Sequence, residues 1–250
     1  MKYLKLLSLI FIFVLLSCGG DDNSPVNDEP DKPDPVQPAT KYPTELVGTW
    51  EFYSGNPVAV LSSIEENDIL NQTFIFVANG NLNEAIVHPD ANKQGKTISA
   101  NGNWMVENNQ LKLTDWQGNA INGSFSFKIN ADSSLTLTVS GKSAVYYKQE
   151  DIKSKYPDLI IGSWNNMRDG SARTRMSFFN TGRGYSQSTY INGFYYGGEH
   201  FSWSINDKII SVDYDNISQP TGHHEYIINY LNKKSVSWTF KNEARHYVRE

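Results

Sequence analysis

The chain is 250 residues long, with 13% aromatic residues, 20% charged residues and a formal net charge of −5. That length admits one large domain or two ordinary ones. The acidic balance, with no Lys/Arg block, excludes nucleic acid as a partner. The single cysteine excludes an internal disulfide and a thiolate metal cluster within the chain.

The first segment is short and positively charged, carrying Lys2 and Lys5, and is followed by an apolar run from Leu6 to Leu16. This is the pattern of a secretory signal. The run is too short for a stable membrane span, which needs roughly 20 residues. It is read as a removable address, residues 1–17, outside the fold. Leu15-Leu16-Ser17-Cys18 resembles the lipobox of bacterial lipoproteins. The resemblance implies cleavage before Cys18, diacylglycerol on its thiol and acylation (palmitate-type chains) of the new amino end. Two or three acyl chains anchor durably where one does not. Gly19-Gly20-Asp21-Asp22 is similar to the acidic tag of surface-exposed lipoproteins in the Bacteroides and Flavobacterium group. The implied location is the outer membrane with the fold facing outward; the alternative faces the periplasm.

From the lipidated cysteine to Pro43, residues 18–43, the chain changes character. Six of its ten prolines lie here, interleaved with Asp28, Glu29, Asp31 and Asp34. So polar a stretch buries too little surface to offset its ordering entropy. Proline extends it at about 3 Å per residue, as a disordered tether.

Beyond the tether the sequence repeats itself. Leu46-Val47-Gly48-Thr49-Trp50 recurs as Ile160-Ile161-Gly162-Ser163-Trp164, and Phe74-Ile75-Phe76 is echoed by Met176-Ser177-Phe178. Asn103-Trp104 answers Ser202-Trp203, and Leu111 to Trp116 answers Ile209 to Tyr214. Ala144 and Tyr147 align with Ala244 and Tyr247, in register with Glu150 and Glu250. Two related modules are expected, over 44–150 and 157–250. Within each, the dominant period is two: Phe125, Phe127 and Ile129 alternate with polar neighbours, as do Leu135, Leu137 and Val139. Turn signals follow at Asn79-Gly80, Asn108-Asn109, Gln117-Gly118-Asn119, Asn192-Gly193, Asn206-Asp207 and Asn232-Lys233-Lys234. The expected class is all-β, two tandem antiparallel meander barrels of about eight strands each, since closure removes exposed edges. Val58–Asn71 breaks the pattern and reads as a short helix or a lid-like loop.

The Gly-x-Trp on each first strand, followed by a β-meander, resembles the lipocalin family, and especially the lipocalin-like domains of Bacteroides-group lipoproteins. The resemblance implies that Trp50 and Trp164, with Gly48 and Gly162, form barrel floors. It also implies that a basic side chain from the last strand crosses each tryptophan: Arg249 over Trp164, with Lys148 one place out of register in the first copy. A lipocalin-type function is holding a small apolar molecule inside the barrel. An eight-stranded barrel is just wide enough for one small ligand or for filling by its own side chains.

Two clusters are candidates for chemistry. His200, His223, His224 and His246 all fall in the second module, but His223 and His224 point to opposite faces of a strand. No motif of a metal or nucleophilic site is present, so neither cofactor nor enzymatic activity is expected. The stretch 184–203 is dense in aromatics, with Tyr185, Tyr190, Tyr195, Tyr196 and Trp203 as candidates to stack on a glycan or an apolar ligand. The leading reading is a surface-anchored, non-enzymatic binding lipoprotein. Its rivals are a structural or protein-interaction lipoprotein with filled barrels, and an enzyme with a site in the second module.

Overall fold

Gly48 and Gly162 begin the two barrels with the same backbone angle, φ of 135°. Only glycine takes that conformation without strain, while the space beside it would admit a Cβ at ordinary contact distance. A Cβ on Gly48 would stand 3.8 Å from Lys148 Cε, and one on Gly162 would stand 3.5 Å from Arg249 Nη1. The Gly-x-Trp pattern therefore records a backbone requirement.

The structure is a computed structural model that describes residues 41–58, 68–90, 95–115, 118–167, 172–190, 195–216 and 222–250. The expected signal, Cys18 with its expected lipid and nearly all of the expected tether lie outside the described residues, as do residues 59–67 of the expected lid and the Asn192-Gly193 turn. The first barrel comprises β1 (Gly48–Gly55), β2 (Asn71–Phe76), β3 (Asn81–Pro89), β4 (Gly95–Glu107), β5 (Gln110–Asp115), β6 (Ala120–Ile129), β7 (Leu135–Val139) and β8 (Lys142–Lys148). The second comprises β9 (Gly162–Asn166), β10 (Ala172–Phe178), β11 (Arg183–Tyr190), β12 (Tyr195–Asn206), β13 (Ile209–Tyr214), β14 (His223–Leu231), β15 (Ser235–Phe240) and β16 (Glu243–Arg249). Each strand pairs with the next, and the eighth returns to the first, so both sheets close. Asn108 and Asn109, with φ of 52° and 60°, make the β4–β5 turn. Positive φ at both central residues matches the twist of the flanking strands.

Closure leaves two separate cores. The first is built on Trp50, Phe52, Phe74, Phe76, Trp104 and Tyr146, the second on Trp164, Phe178, Phe201, Trp238 and Tyr247. The repeat extends to single hydrogen bonds. Trp50 Nε1 donates to Leu46 O at 2.8 Å and Trp164 Nε1 donates to Ile160 O at 2.7 Å. Trp104 Nε1 donates to Val77 O, and Trp203 Nε1 to Phe179 O.

Two correspondences read from sequence are one residue off. Leu111 and Ile210 face Val106 and Ile205 across the same ladder and are fully buried, whereas Ile209 is 40% exposed. At the end of each copy, Trp50 opposes Lys148 and Trp164 opposes Arg249. Lys148 is thus the true counterpart of Arg249, and Tyr146 that of Tyr247. A one-residue slip turns every side chain to the other face, so burial decides the register.

The connection between barrels is helical, which the sequence reading leaves unassigned. α1 (Gln149–Ile152), a 3-10 turn (Lys153–Lys155) and α2 (Tyr156–Ile160) bridge β8 and β9. The boundaries at 150 and 157 fall inside these helices. Ile152, Tyr156, Leu159 and Ile160 sit at helical spacing and are buried in the second core.

The far end of the first barrel is occupied. Val58 packs into its core, and Ile69 and Leu70 are buried. The β14–β15 turn of the second barrel bonds to this segment. Asn232 Nδ2 donates to Leu70 O at 2.9 Å, Ser235 Oγ to Leu70 O at 2.5 Å and Lys234 Nζ to Ile69 O at 3.0 Å. Lys233 N donates to Tyr53 O at 3.0 Å. On the outer wall, the His246 ring lies where a Cβ on Gly95 would fall.

Candidate functional site

Residues directly opposed in an antiparallel ladder point to the same face, which sorts the second barrel's side chains. Val212, Phe201 and Trp238 are buried inside, and their partners across the ladder are His224, Tyr214 and Arg245. Glu199 opposes Ser186, two residues along from Gly184, which opposes the buried Phe201. Glu199, Ser186, Tyr214, His224, Phe240 and Arg245 therefore line the inner wall away from Trp164. All six are half-buried, unlike the aromatic layer beneath them.

The geometry of this end is aromatic and polar together. The His224 ring lies 4.8 Å from Phe240 and 5.2 Å from Tyr214, and the Tyr226 ring lies 5.0 Å from Phe240. Arg245 Cζ stands 5.7 Å above Phe240, with Glu243 at 3.6 Å beside it. His224 Nδ1 and Tyr226 OH are 3.4 Å apart. Burial pushes the hydroxyls of Tyr214 and Tyr226 above the usual phenol range, with Tyr226 and Ser186 bonding partly offsetting this for Tyr214. Both therefore stay protonated, as donors, at neutral pH. A cation, a carboxylate, two phenols and an imidazole around an aromatic face suit a small molecule carrying rings and hydroxyls.

The first barrel's inward polar group is different in kind. Glu84 is 3% exposed. Gln72 Nε2 donates to Glu84 Oε1 at 2.6 Å and to Val58 O at 2.5 Å, and Tyr146 OH donates to Gln72 Oε1 at 2.5 Å. Burial pushes the Glu84 carboxyl up to about 8, against a smaller lowering by Gln72. This network fastens Val58 through its carbonyl oxygen.

The sequence candidates divide as follows. Tyr185 lies on the outer face, its ring 4.8 Å from the exposed His200. Trp203 lies on the core side, 5.5 Å from Phe178. The two occupy opposite faces and form no common platform. The side chains of Tyr190, Tyr195 and Tyr196 lie outside the described residues. At the floors, Arg249 Cζ is 4.5 Å from the Trp164 ring and Lys148 Nζ is 5.5 Å from the Trp50 ring. Of the four histidines of the second module, His223 faces outward on Asp213 at 2.7 Å, His246 faces Tyr230 on the outer wall and only His224 turns inward. Among the described residues no three potential ligands converge on a metal. Sequence reasoning missed Glu199, Tyr214, Phe240 and Arg245 as a set. Their joint alternation with the core residues was the available signal, but it needs the correct register.

No family model and no curated protein matches the chain. Among solved structures it is similar to a lipocalin-like protein from Bacteroides uniformis ATCC 8492, at 12% identity and a TM-score of 0.32, over 36% of this chain and 98% of that one. It is also similar to an uncharacterized protein from Bacteroides eggerthii DSM 20697, at 12% identity and a TM-score of 0.30, over 36% of this chain and 99% of that one.

Proposed function

We propose that the chain is a non-enzymatic binding lipoprotein whose second barrel takes a small glycan-like molecule at the end away from Trp164. The first barrel is a filled spacer. Lipid on Cys18 holds the protein at the outer membrane, and the tether carries the fold outward to the cell surface. One observation carries the binding role: the inner wall there keeps Glu199, Tyr214, His224, Phe240 and Arg245 only half-buried. A barrel kept purely for structure has no use for a carboxylate, a cation and three ring-bearing groups on its inner wall, where apolar filling is cheaper. The same mixture favours a hydroxyl-rich ring over a purely apolar ligand, since the aromatic face stacks while the polar groups orient.

The test is calorimetric titration of the full chain in mild detergent with a panel of mono- and disaccharides, beside the Phe240→Ala and Arg245→Ala variants. At least one sugar should bind, with affinity reduced roughly tenfold or more in each variant. Absence of binding across the panel, or binding indifferent to both substitutions, removes the reading. The filled, structural alternative would then stand, supported by the packed aromatic layer of Trp164, Phe178, Phe201, Trp238 and Tyr247.

A further inference from the structure

Glu51 stands on the outer wall of β1, opposite Thr73 of β2 and Tyr147 of β8, yet it is only 4% exposed. The helical link between the barrels reaches it there. Gln149 Nε2 of α1 donates to Glu51 Oε1 at 2.9 Å, while Oε2 is buried without a hydrogen-bond partner. The Tyr156 hydroxyl of α2 is buried without one as well. It is near enough to act on the carboxyl but is not in hydrogen-bonding geometry. The surrounding charges act from a distance. Lys208 in the β12–β13 turn and Lys153 in the 3-10 turn influence Glu51 through space, and Lys153 is ion-paired to Asp207 at 2.9 Å. Lys155 rides 5.2 Å over the Tyr147 ring, whose hydroxyl donates to Asp132 at 2.5 Å. Glu150 and Asp151 of α1 are exposed. Burial raises the Glu51 pKa, against smaller lowering by Lys208, Gln149, Lys153 and Tyr156. A buried charge without a bonded partner destabilises the contact that buries it, and a proton removes that charge. A proton on Oε2 also gives the carboxyl a donor to turn towards the Tyr156 oxygen.

We propose that Glu51 is a proton-operated clasp between the barrels. With its proton on, the carboxyl holds the helical link against the wall of the first barrel; with its proton off, the link lifts and water reaches the carboxylate. The second barrel then turns about the remaining contact, the Asn232 amide on Leu70 O. Docking raises the pKa above the ordinary 4.5. The docked form is therefore fully favoured below that value and loses ground as pH rises through the docked pKa.

The experiment is hydrogen–deuterium exchange of the full chain in mild detergent between about pH 5 and about pH 8, corrected for intrinsic exchange. Protection of the link, Gln149–Ile160, should fall with rising pH by up to about tenfold per unit until the docked carboxyl is ionised. The fall should vanish in Glu51→Gln, which keeps an acceptor for Gln149 and cannot ionise. In Lys208→Gln, which removes a charge favouring the carboxylate, it should extend to higher pH. Glu84→Gln should leave the fall in place, which separates the clasp from the titration of the first barrel's interior. Far-ultraviolet circular dichroism checks that each variant keeps its sheets, and the parent's own pH course tests the clasp without any substitution. Link protection that is indifferent to pH in the parent, or that falls equally in Glu51→Gln, overturns the proposal.

Discussion

Glu84 shows what a single buried carboxyl does to the energetics of a barrel. Its pKa of about 8, against an ordinary 4.5, means that the folded chain holds a proton the unfolded chain has released. Folded protein therefore binds more protons between these two values, and stability falls as pH rises through that window, levelling above about 8. Below about 4.5 both states are protonated and the group contributes no pH dependence. The shift corresponds to roughly 3–5 kcal/mol at most, an upper bound for so dehydrated a group. Glu84→Gln removes the ionisable carboxyl while retaining a partner for Gln72. Thermal midpoints measured between about pH 5 and about pH 8 should fall less in Glu84→Gln than in the parent. Parallel slopes would show that Glu84 is ionised in the fold. The floor residues work differently: Gly48 and Gly162 supply a backbone angle that side-chain-bearing residues rarely adopt, and the indoles bond to carbonyls four residues upstream. Each stacked cation adds roughly 0.5–2 kcal/mol.

At the level of elements, the β14–β15 turn does two jobs. It reverses the chain within the second barrel and it caps the first. Asn232 is fully buried, donates to Leu70 O and accepts from the backbone N–H groups of Lys234 and Ser235, both at 2.9 Å. Asn232→Ala would leave the buried Leu70 carbonyl and Ser235 N–H, and the part-buried Lys234 N–H, without that partner, a buried group costing about 1–3 kcal/mol when left unsatisfied. Part of this is recovered by the Ser235 hydroxyl, which also reaches Leu70 O. The expected outcome is a thermal midpoint lowered by several degrees and faster limited proteolysis near residue 70. Unaltered proteolysis there would show that the turn does not secure the first barrel's end. The helical link α1–α2 contributes similarly, since Tyr156 and Ile160 are buried against the second core while Gln149 Nε2 bonds Glu51 Oε1 on the first barrel at 2.9 Å.

For the whole molecule, the proposed placement at the cell surface rests on Cys18 and the proline-rich segment that follows it. Among the described residues no helix is long and apolar enough to cross a membrane, and the proposal assigns retention to acyl chains on Cys18. Cys18→Ser should move the protein from the membrane fraction to the soluble fraction of the producing cell or its medium, read by immunoblot after fractionation. Continued co-sedimentation with membranes, unaffected by salt, would remove lipid anchoring at this cysteine. The two barrels also differ as a pair. At the far end of the first, Val58, Ile69 and Leu70 are buried and the β14–β15 turn bonds to Leu70 O. The second keeps half-buried polar groups at the matching end.

How much of this was legible in the sequence depends on the range of the forces involved. Alternation of Phe125, Phe127, Leu135 and Leu137 with polar neighbours, turn pairs such as Asn108-Asn109 and the doubled Gly-x-Trp are local signals. They determined two meander barrels because period-two patterning and turn chemistry act over a few residues. Register was decided only in three dimensions. Choosing Ile210 rather than Ile209 as the partner of Leu111, or Arg249 rather than its neighbour as that of Lys148, depends on which side chain the closed barrel buries. The candidate site followed register. Tyr185 and Trp203 are close in sequence yet lie on opposite faces, while Glu199, Tyr214, His224, Phe240 and Arg245 are scattered along the chain and share one wall. Closure of a sheet brings distant residues together through long-range pairing, and no local pattern records which ones will meet.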